Sequence, residues 1–119
     1  GPVLVAEQLP DSHPAKKNGV AFVQTLEAKY GPDSRSTFAG ASWDAWLLLQ
    51  NALGSALKGK AKPGTPEFRA ALRDAMETER DVVGVHGVFN MSPTDHSGLD
   101  GRARVLLQVQ KGEFKIISK

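Results

Sequence analysis

The chain has 119 residues, with 15 basic against 13 acidic side chains and a formal net charge of +2 at pH 7. This length fits one small domain, and the interspersed charges create no field strong enough to hold a polyanion, so nucleic acid is not an expected partner. The lack of cysteine excludes disulfides, thiolate nucleophiles and cysteine-ligated metal sites. No apolar stretch approaches the roughly 20 residues that a membrane-spanning helix requires.

The first third of the chain predicts a strand, a helix and a loop. A short apolar run at residues 3–6, ended by a polar cluster rich in proline, predicts a buried strand and a turn. Residues 15–30 carry apolar side chains at four-residue intervals, which is typical of an amphipathic helix, and Gly31 ends that helix. The polar residues 31–37 predict a surface loop that leads to Phe38.

Two more helices are predicted in the middle of the chain. Residues 41–57 have almost no polar face, so they predict a helix that is buried on most sides. The lysine-rich and glycine-rich residues 58–64 predict a solvated linker. Thr65, Pro66 and Glu67 then form a typical helix start, with a capping hydroxyl, a proline at the first helical position and an acid in the first turn.

The last part of the chain predicts strands. Valines punctuated by Gly84 and Gly87 in residues 82–89 favour an extended crossing segment with close backbone approaches, and residues 104–110 and 113–117 favour a hairpin. The whole order predicts a mixed α/β chain. The opening strand and the apolar second helix need more cover than the chain supplies, which predicts association as a homodimer, by strand exchange, or with an absent part of the same protein.

The polar residues give little support to an enzyme. The three histidines are far apart and none has the spacing of a metal site, so neither a metal nor a cofactor is predicted. Asp95 and His96, with Ser92 or Ser97 as nucleophile, are the alternative hypothesis of a small hydrolase. Because adjacent residues rarely meet with catalytic geometry, a local turn is the favoured interpretation.

Two aromatic residues are the candidate ligand contacts. Phe38 lies where the loop enters the second helix, and Trp43 lies in the predicted first turn. A helix N-terminus suits a carboxylate, and an aromatic ring can pack on an apolar side chain of the same ligand. On the residues alone, core packing is the more frequent role for both rings. A further alternative is an interaction module in which both rings are packed away.

Several segments together resemble a known family. In order and spacing, the sequence is similar to the type I periplasmic binding proteins of the branched-chain amino acid class, which serve ABC importers. The resemblance runs along the whole chain and rests on residues 22–31, Trp43-Asp44-Ala45 in place of the family's Tyr-Asp-Ala, residues 68–75, residues 84–92 and residues 105–114.

The resemblance implies an incomplete fold. It identifies the chain as the C-terminal portion of a periplasmic-binding-protein type I fold, with part of a three-layer α/β/α lobe and a C-terminal β-hairpin. Residues 1–84 would belong to the N-terminal lobe, residues 85–92 to a hinge crossing, and residues 93–119 to a hairpin of the second lobe.

The resemblance also implies a function. It implies an exported periplasmic protein that is not an enzyme and that binds a small solute for delivery to ABC permease subunits. The solute would be a branched-chain or other hydrophobic amino acid, or a carboxylate related to one, aromatic carboxylates included. Phe38 matches an aromatic position that lines the family's solute pocket, which reverses the interpretation from the residues alone. Trp43 stands where the family has tyrosine and is the second expected contact.

Overall fold

A computed structural model describes residues 1–117 as a mixture of helices and strands, as predicted. The helices are α1 (Lys16–Tyr30), α2 (Thr37–Ala56) and α3 (Pro66–Glu77). The strands form two antiparallel pairs, β1 (Val82–Val83) with β2 (Val88–Phe89), and β3 (Leu107–Gln110) with β4 (Glu113–Ile116). The last two residues of the predicted segment 93–119 lie outside the described residues.

Three predicted boundaries are confirmed. Helix α1 ends at Gly31, which has a φ of 87° that glycine adopts without strain. Helix α3 begins after Thr65, whose hydroxyl accepts a hydrogen bond from the backbone N–H of Phe68 at 3.2 Å. The β3–β4 turn has positive φ at both Lys111 and Gly112, which is the geometry of a tight hairpin.

The predicted strand at residues 3–6 is wrong, because Pro2–Gln8 forms a 3-10 helix. The segment consists of two 3-10 turns that meet at a kink at Val5, and it buries Pro2, Val3, Val5 and Ala6. Proline at the first helical position favours the same conformation. Burial was therefore predicted correctly, but among residues 1–117 no strand pairs with this segment.

The predicted extended segment at residues 82–89 is also wrong, because the chain turns back on itself there. Strands β1 and β2 form a short hairpin in which the N–H of Gly84 donates to the carbonyl of Gly87 at 2.8 Å. Downstream, strand β3 is shorter than the predicted strand 104–110, because the preceding Gly101–Ala103 forms a 3-10 turn.

Helix α2 is much more exposed than predicted. Trp43 and Trp46 are 42 % and 50 % exposed, so the prediction that this helix is buried on most sides is wrong for the described residues. The other helices and the hairpins among residues 1–117 cover only part of the apolar surface of α2. The radius of gyration of 16.4 Å also exceeds the about 13.5 Å expected of a compact domain of this length.

Two small cores hold the elements together. One joins the opening 3-10 helix to α1 and to the β1–β2 hairpin through Val3, Ala6, Val23 and Val85. The other joins α2 to the same hairpin and the segment after it through Leu48, Phe89 and Met91. The β1–β2 hairpin therefore takes part in both cores, and it links α1 to α2.

The side chain of Gln8 closes the outer edge of β4. Its Nε2 donates to the carbonyl of Phe114 at 2.8 Å, and its Oε1 accepts from the N–H of Ile116 at 3.1 Å. We expect Gln8→Ala to speed hydrogen exchange at the Ile116 amide about fivefold, because one hydrogen bond of roughly 1 kcal/mol is lost. Gln50→Ala on the exposed face of α2 is the control. Unchanged exchange at Ile116 in Gln8→Ala would contradict this role.

Candidate functional site

Helix α2 starts at a capped turn that is fixed to the rest of the chain. The Ser36 hydroxyl accepts from the N–H of Ala39 at 3.0 Å, so the helix begins four residues earlier than predicted. In the loop before it, Arg35 forms ion pairs of 2.7 Å with both Glu7 and Glu27. The hydrogen bond from Arg35 lowers the pKa of Glu7 below its ordinary value. These contacts attach the start of α2 to the opening segment and to α1.

Phe38 lies in the first turn of α2, and its side chain is 85 % exposed. Core packing of this ring is therefore excluded within residues 1–117. Ser36 and Arg35 hold the backbone turn that carries Phe38, whereas the exposed ring itself makes few contacts. Its expected role as a solute contact stays a prediction at this point.

Trp43 lies on a different face of the same helix. Its ring centroid is 5.7 Å from that of Phe22 of α1, with a tilt of 36°. Together with Tyr30 and Leu47 the two rings line an apolar groove of about 420 Å³ between α1 and α2. Five helical residues separate Phe38 from Trp43, which places them about 140° apart around the axis. The structure therefore does not bring the two predicted contacts into one cavity.

A second cavity of about 350 Å³ lies on the side of α2 that faces the β1–β2 hairpin. Ala41 and Ala45 contribute to its wall, and they follow Phe38 by three and seven residues, so they share its helix face. Phe38 therefore lies on the helix face that leads to this cavity, although the ring itself is not part of the cavity wall. Its lining is mostly apolar, with three polar residues, Thr37, Asp44 and His86.

Asp44 and His86 form a buried network that the sequence analysis missed. Asp44 is 3 % exposed, and its carboxylate accepts from the N–H of Val85 at 2.7 Å and from the N–H of His86 at 3.1 Å. The Nδ1 of His86 lies 2.9 Å from the same carboxylate. Because a carboxylate accepts, Nδ1 is the donor in this hydrogen bond. The signal in the sequence that could have indicated this network is Asp44 itself, an acid in a helix that is otherwise largely apolar.

Two glycines make room for this network. A Cβ at Gly84 would lie 2.7 Å from the carboxyl carbon of Asp44, and a Cβ at Gly40 would lie 2.7 Å from Cε1 of His86. Real Cβ atoms do not approach other atoms so closely, so neither position accepts a side chain without a shift of its neighbours. The close neighbours of Gly84 are side chains, whereas a Cβ at Gly87 would lie 3.3 Å from the Cα of Ala103, so the predicted close backbone approach is confirmed at Gly87.

Solved structures of extracellular ligand-binding receptors match almost the whole chain. One receptor from Rhodopseudomonas palustris is 50% identical with a TM-score of 0.90, and one from strain HaA2 is 47% identical with a TM-score of 0.91. This chain has part of an extracellular ligand-binding receptor fold. Both matches cover 99% of this chain and 33% of the receptor, so it spans about one third of their length. Another receptor from HaA2 is 38% identical over 97% of this chain and 32% of its own, with a TM-score of 0.82. No protein-family model and no curated protein matches the chain.

The hydrolase arrangement is not assembled in this receptor-like chain. The Asp95 carboxylate accepts from the N–H groups of Ser97 and Gly98, and these backbone bonds, led by that of Gly98, lower its pKa. The Ser92 hydroxyl accepts from the N–H of Asp95, while His96 lies 3.1 Å from Glu77. The local turn is confirmed, and neither Asp95 nor His96 lines the two cavities described above.

Residues 1–117 contain no group of three metal-binding side chains that is close enough to hold an ion. No helix described there has both the length and the apolar character needed to cross a membrane.

Glu79 is a buried acid whose carboxylate is poorly compensated. It is 9 % exposed, and within residues 1–117 neither carboxylate oxygen makes a hydrogen bond of good geometry. Burial raises its pKa above the ordinary value, an effect that the nearby backbone of Ala52 opposes only in part. The folded state disfavours the charged form of Glu79, so ionisation of this group lowers the stability of the fold. This loss of stability is absent below the unfolded pKa of 4.5 and grows as pH rises through the folded pKa.

We therefore expect Glu79→Gln to stabilise the fold by roughly 1 kcal/mol at pH 7 and to leave it unchanged near pH 4. Urea unfolding of both proteins at the two pH values measures the difference. A loss of stability at pH 7 would show that the carboxylate has a favourable partner.

Proposed function

We propose that this chain is the C-terminal portion of an exported solute-binding component of an ABC importer. It binds a branched-chain or other hydrophobic amino acid, or a related aromatic carboxylate, and delivers it unchanged to permease subunits in the periplasm. The observation that carries the proposal is Phe38, an exposed ring in a fixed helix turn beside an apolar cavity. The likeness to extracellular ligand-binding receptors supports it.

In this proposal the site combines an apolar and a polar element. The N–H of Ala39 is capped by Ser36, whereas those of Thr37 and Phe38 precede the first hydrogen bond within α2, and their positive partial charge suits the carboxylate of the solute. The Phe38 ring packs on the apolar side chain of the solute. Trp43 belongs to the proposal as the ring that lines the neighbouring groove.

The proposed lobes divide the chain as the resemblance implies. Residues 1–84 belong to the N-terminal lobe, residues 85–92 to the hinge, and residues 93–119 to the second lobe. The exposed apolar face of α2 and the elongated shape support a fragment that is completed by further polypeptide.

A ligand screen tests the function. In the longer protein that contains this chain, L-leucine, L-phenylalanine or benzoate is expected to raise the melting temperature, because a ligand at 100 times its dissociation constant stabilises the fold by about 2.7 kcal/mol. Benzamide, which lacks the charge of benzoate, is the matched control. The proposal fails if no carboxylate raises the melting temperature, or if benzamide acts as strongly as benzoate.

We also propose that the isolated chain associates with itself. Val109 and Phe114 are paired across β3 and β4, and both are exposed. Because Gln8 closes the outer edge of β4, a second copy of the chain adds its strand at the outer edge of β3. Light scattering is expected to give the mass of a dimer, and a stable monomer at low concentration would contradict this proposal.

A further inference from the structure

The imidazole of His86 connects the β1–β2 hairpin to the start of α2. His86 is 8 % exposed, and its ring lies between Gly1 and Gly40: a Cβ on either glycine would lie 2.7 Å from a ring carbon. Gly40 follows Phe38 by two residues and precedes Asp44 by one helical turn. The ring therefore touches the turn of α2 that carries Phe38.

Asp44 fixes the orientation of this ring. Its carboxylate holds the Nδ1–H of His86 at 2.9 Å, and it also accepts the backbone N–H groups of Val85 and His86. Ring and hairpin are therefore bound to the second turn of α2 as one unit, while the other side of the ring rests against Gly40. The size and orientation of the imidazole thus set the distance between the hairpin and the first turns of α2.

We propose that His86, oriented by Asp44, is a positioning residue for the solute site, because it sets where the first turn of α2 and the Phe38 ring lie. This inference rests on the proposed function. His86 acts through Phe38 and makes no hydrogen bond with the solute, since its Nε2 is enclosed by protein, while its ring forms part of the wall of the cavity between α2 and the hairpin. A smaller or unbonded side chain lets the first turns of α2 shift, and the site is then no longer preorganised for the solute.

Three variants of the longer protein that contains this chain test the role. His86→Leu removes the donor to Asp44 and the flat ring, whereas His86→Asn keeps an N–H group within reach of the carboxylate. Phe68→Leu is the control, because it alters a buried side chain of α3, away from the first turn of α2, and lowers stability without changing the site.

Calorimetry with L-phenylalanine and with benzoate measures the effect below the melting temperature of each variant. We expect His86→Leu to weaken binding about tenfold, and His86→Asn and Phe68→Leu to stay within about threefold of the original protein. A purely structural role predicts instead that affinity follows melting temperature in all three variants. Original affinity in His86→Leu, or equal losses in His86→Leu and Phe68→Leu, would overturn the inference and leave the proposed function intact.

A second readout does not depend on a solute. With 4-fluorophenylalanine placed only at position 38, the ¹⁹F resonance is expected to move in His86→Leu and to return in His86→Asn. If none of L-leucine, L-phenylalanine and benzoate binds the original protein, the proposed function fails, and this resonance alone decides the positioning. An unchanged resonance in His86→Leu would then refute it.

Discussion

Replacing Asp44 with asparagine is expected to lower the free energy of unfolding by about 3 kcal/mol, because a buried charged acceptor of three hydrogen bonds is lost. The amide group of asparagine can accept through only one atom, and its NH₂ group faces the donors of the hairpin. Either the N–H of Val85 or that of His86 then remains buried without a partner. Urea unfolding at pH 7 measures the loss.

Asp33→Asn provides the control for this substitution. Asp33 lies exposed in the short 3-10 turn before α2, so the same chemical change there is expected to alter stability by less than about 0.5 kcal/mol. Equal unfolding midpoints for Asp44→Asn and the original chain would mean that the hairpin is held by its apolar contacts alone.

Adding one methyl group at position 84 is expected to have the second large effect. In Gly84→Ala the new Cβ meets both the Asp44 carboxyl carbon at 2.7 Å and a ring carbon of Phe89 at 2.8 Å. The hairpin must then move away from α2, which lengthens the hydrogen bonds to Asp44 and opens the core around Phe89. We expect a loss of about 3 kcal/mol, at the upper end of the cost of overpacking a core. Thermal and urea unfolding both detect a change of this size.

Gly54→Ala is the matched control, because a Cβ at Gly54 in α2 meets no atom within 4 Å. Alanine favours the helix over glycine, so this variant is expected to gain up to about 1 kcal/mol. If Gly84→Ala lowers the free energy of unfolding and Gly54→Ala raises it, the loss at Gly84 comes from the close contacts there and not from a general effect of replacing glycine. A stable Gly84→Ala protein would contradict the packing described here.

The sequence predicts those boundaries that local chemistry decides. Gly31 after α1, Thr65 with Pro66 before α3, and the turn at Lys111 each act within a few residues, and all are confirmed. The boundary at α2 was misplaced because the hydroxyl of Ser36 outweighed the polar appearance of the loop around it.

The errors arise where distant residues decide the outcome. An apolar run such as residues 3–6 is buried in either conformation, and only the availability of a partner strand distinguishes a strand from a 3-10 helix. The turn at residues 84–87 forms because Asp44, some 40 residues earlier, accepts its N–H groups. No short-range pattern contains that information.

The candidate site was only partly predictable. The residues alone made Phe38 a candidate ligand contact but favoured core packing, and the family resemblance reversed that preference. The pairing of Asp44 with His86 joins two positions that no motif connects, although an aspartate surrounded by apolar residues pointed to a buried partner.

The affinity of Phe38→Ala for the solute tests the central claim most directly. Calorimetry on the longer protein, with the carboxylate that gives the largest thermal shift, is expected to show binding weakened by about tenfold or more, since a central aromatic contact is removed. Phe114→Ala, which removes an exposed ring from the C-terminal hairpin, is expected to bind like the original protein. Equal affinities for Phe38→Ala, Phe114→Ala and the original protein would contradict the claim that the start of α2 forms the wall of a solute site.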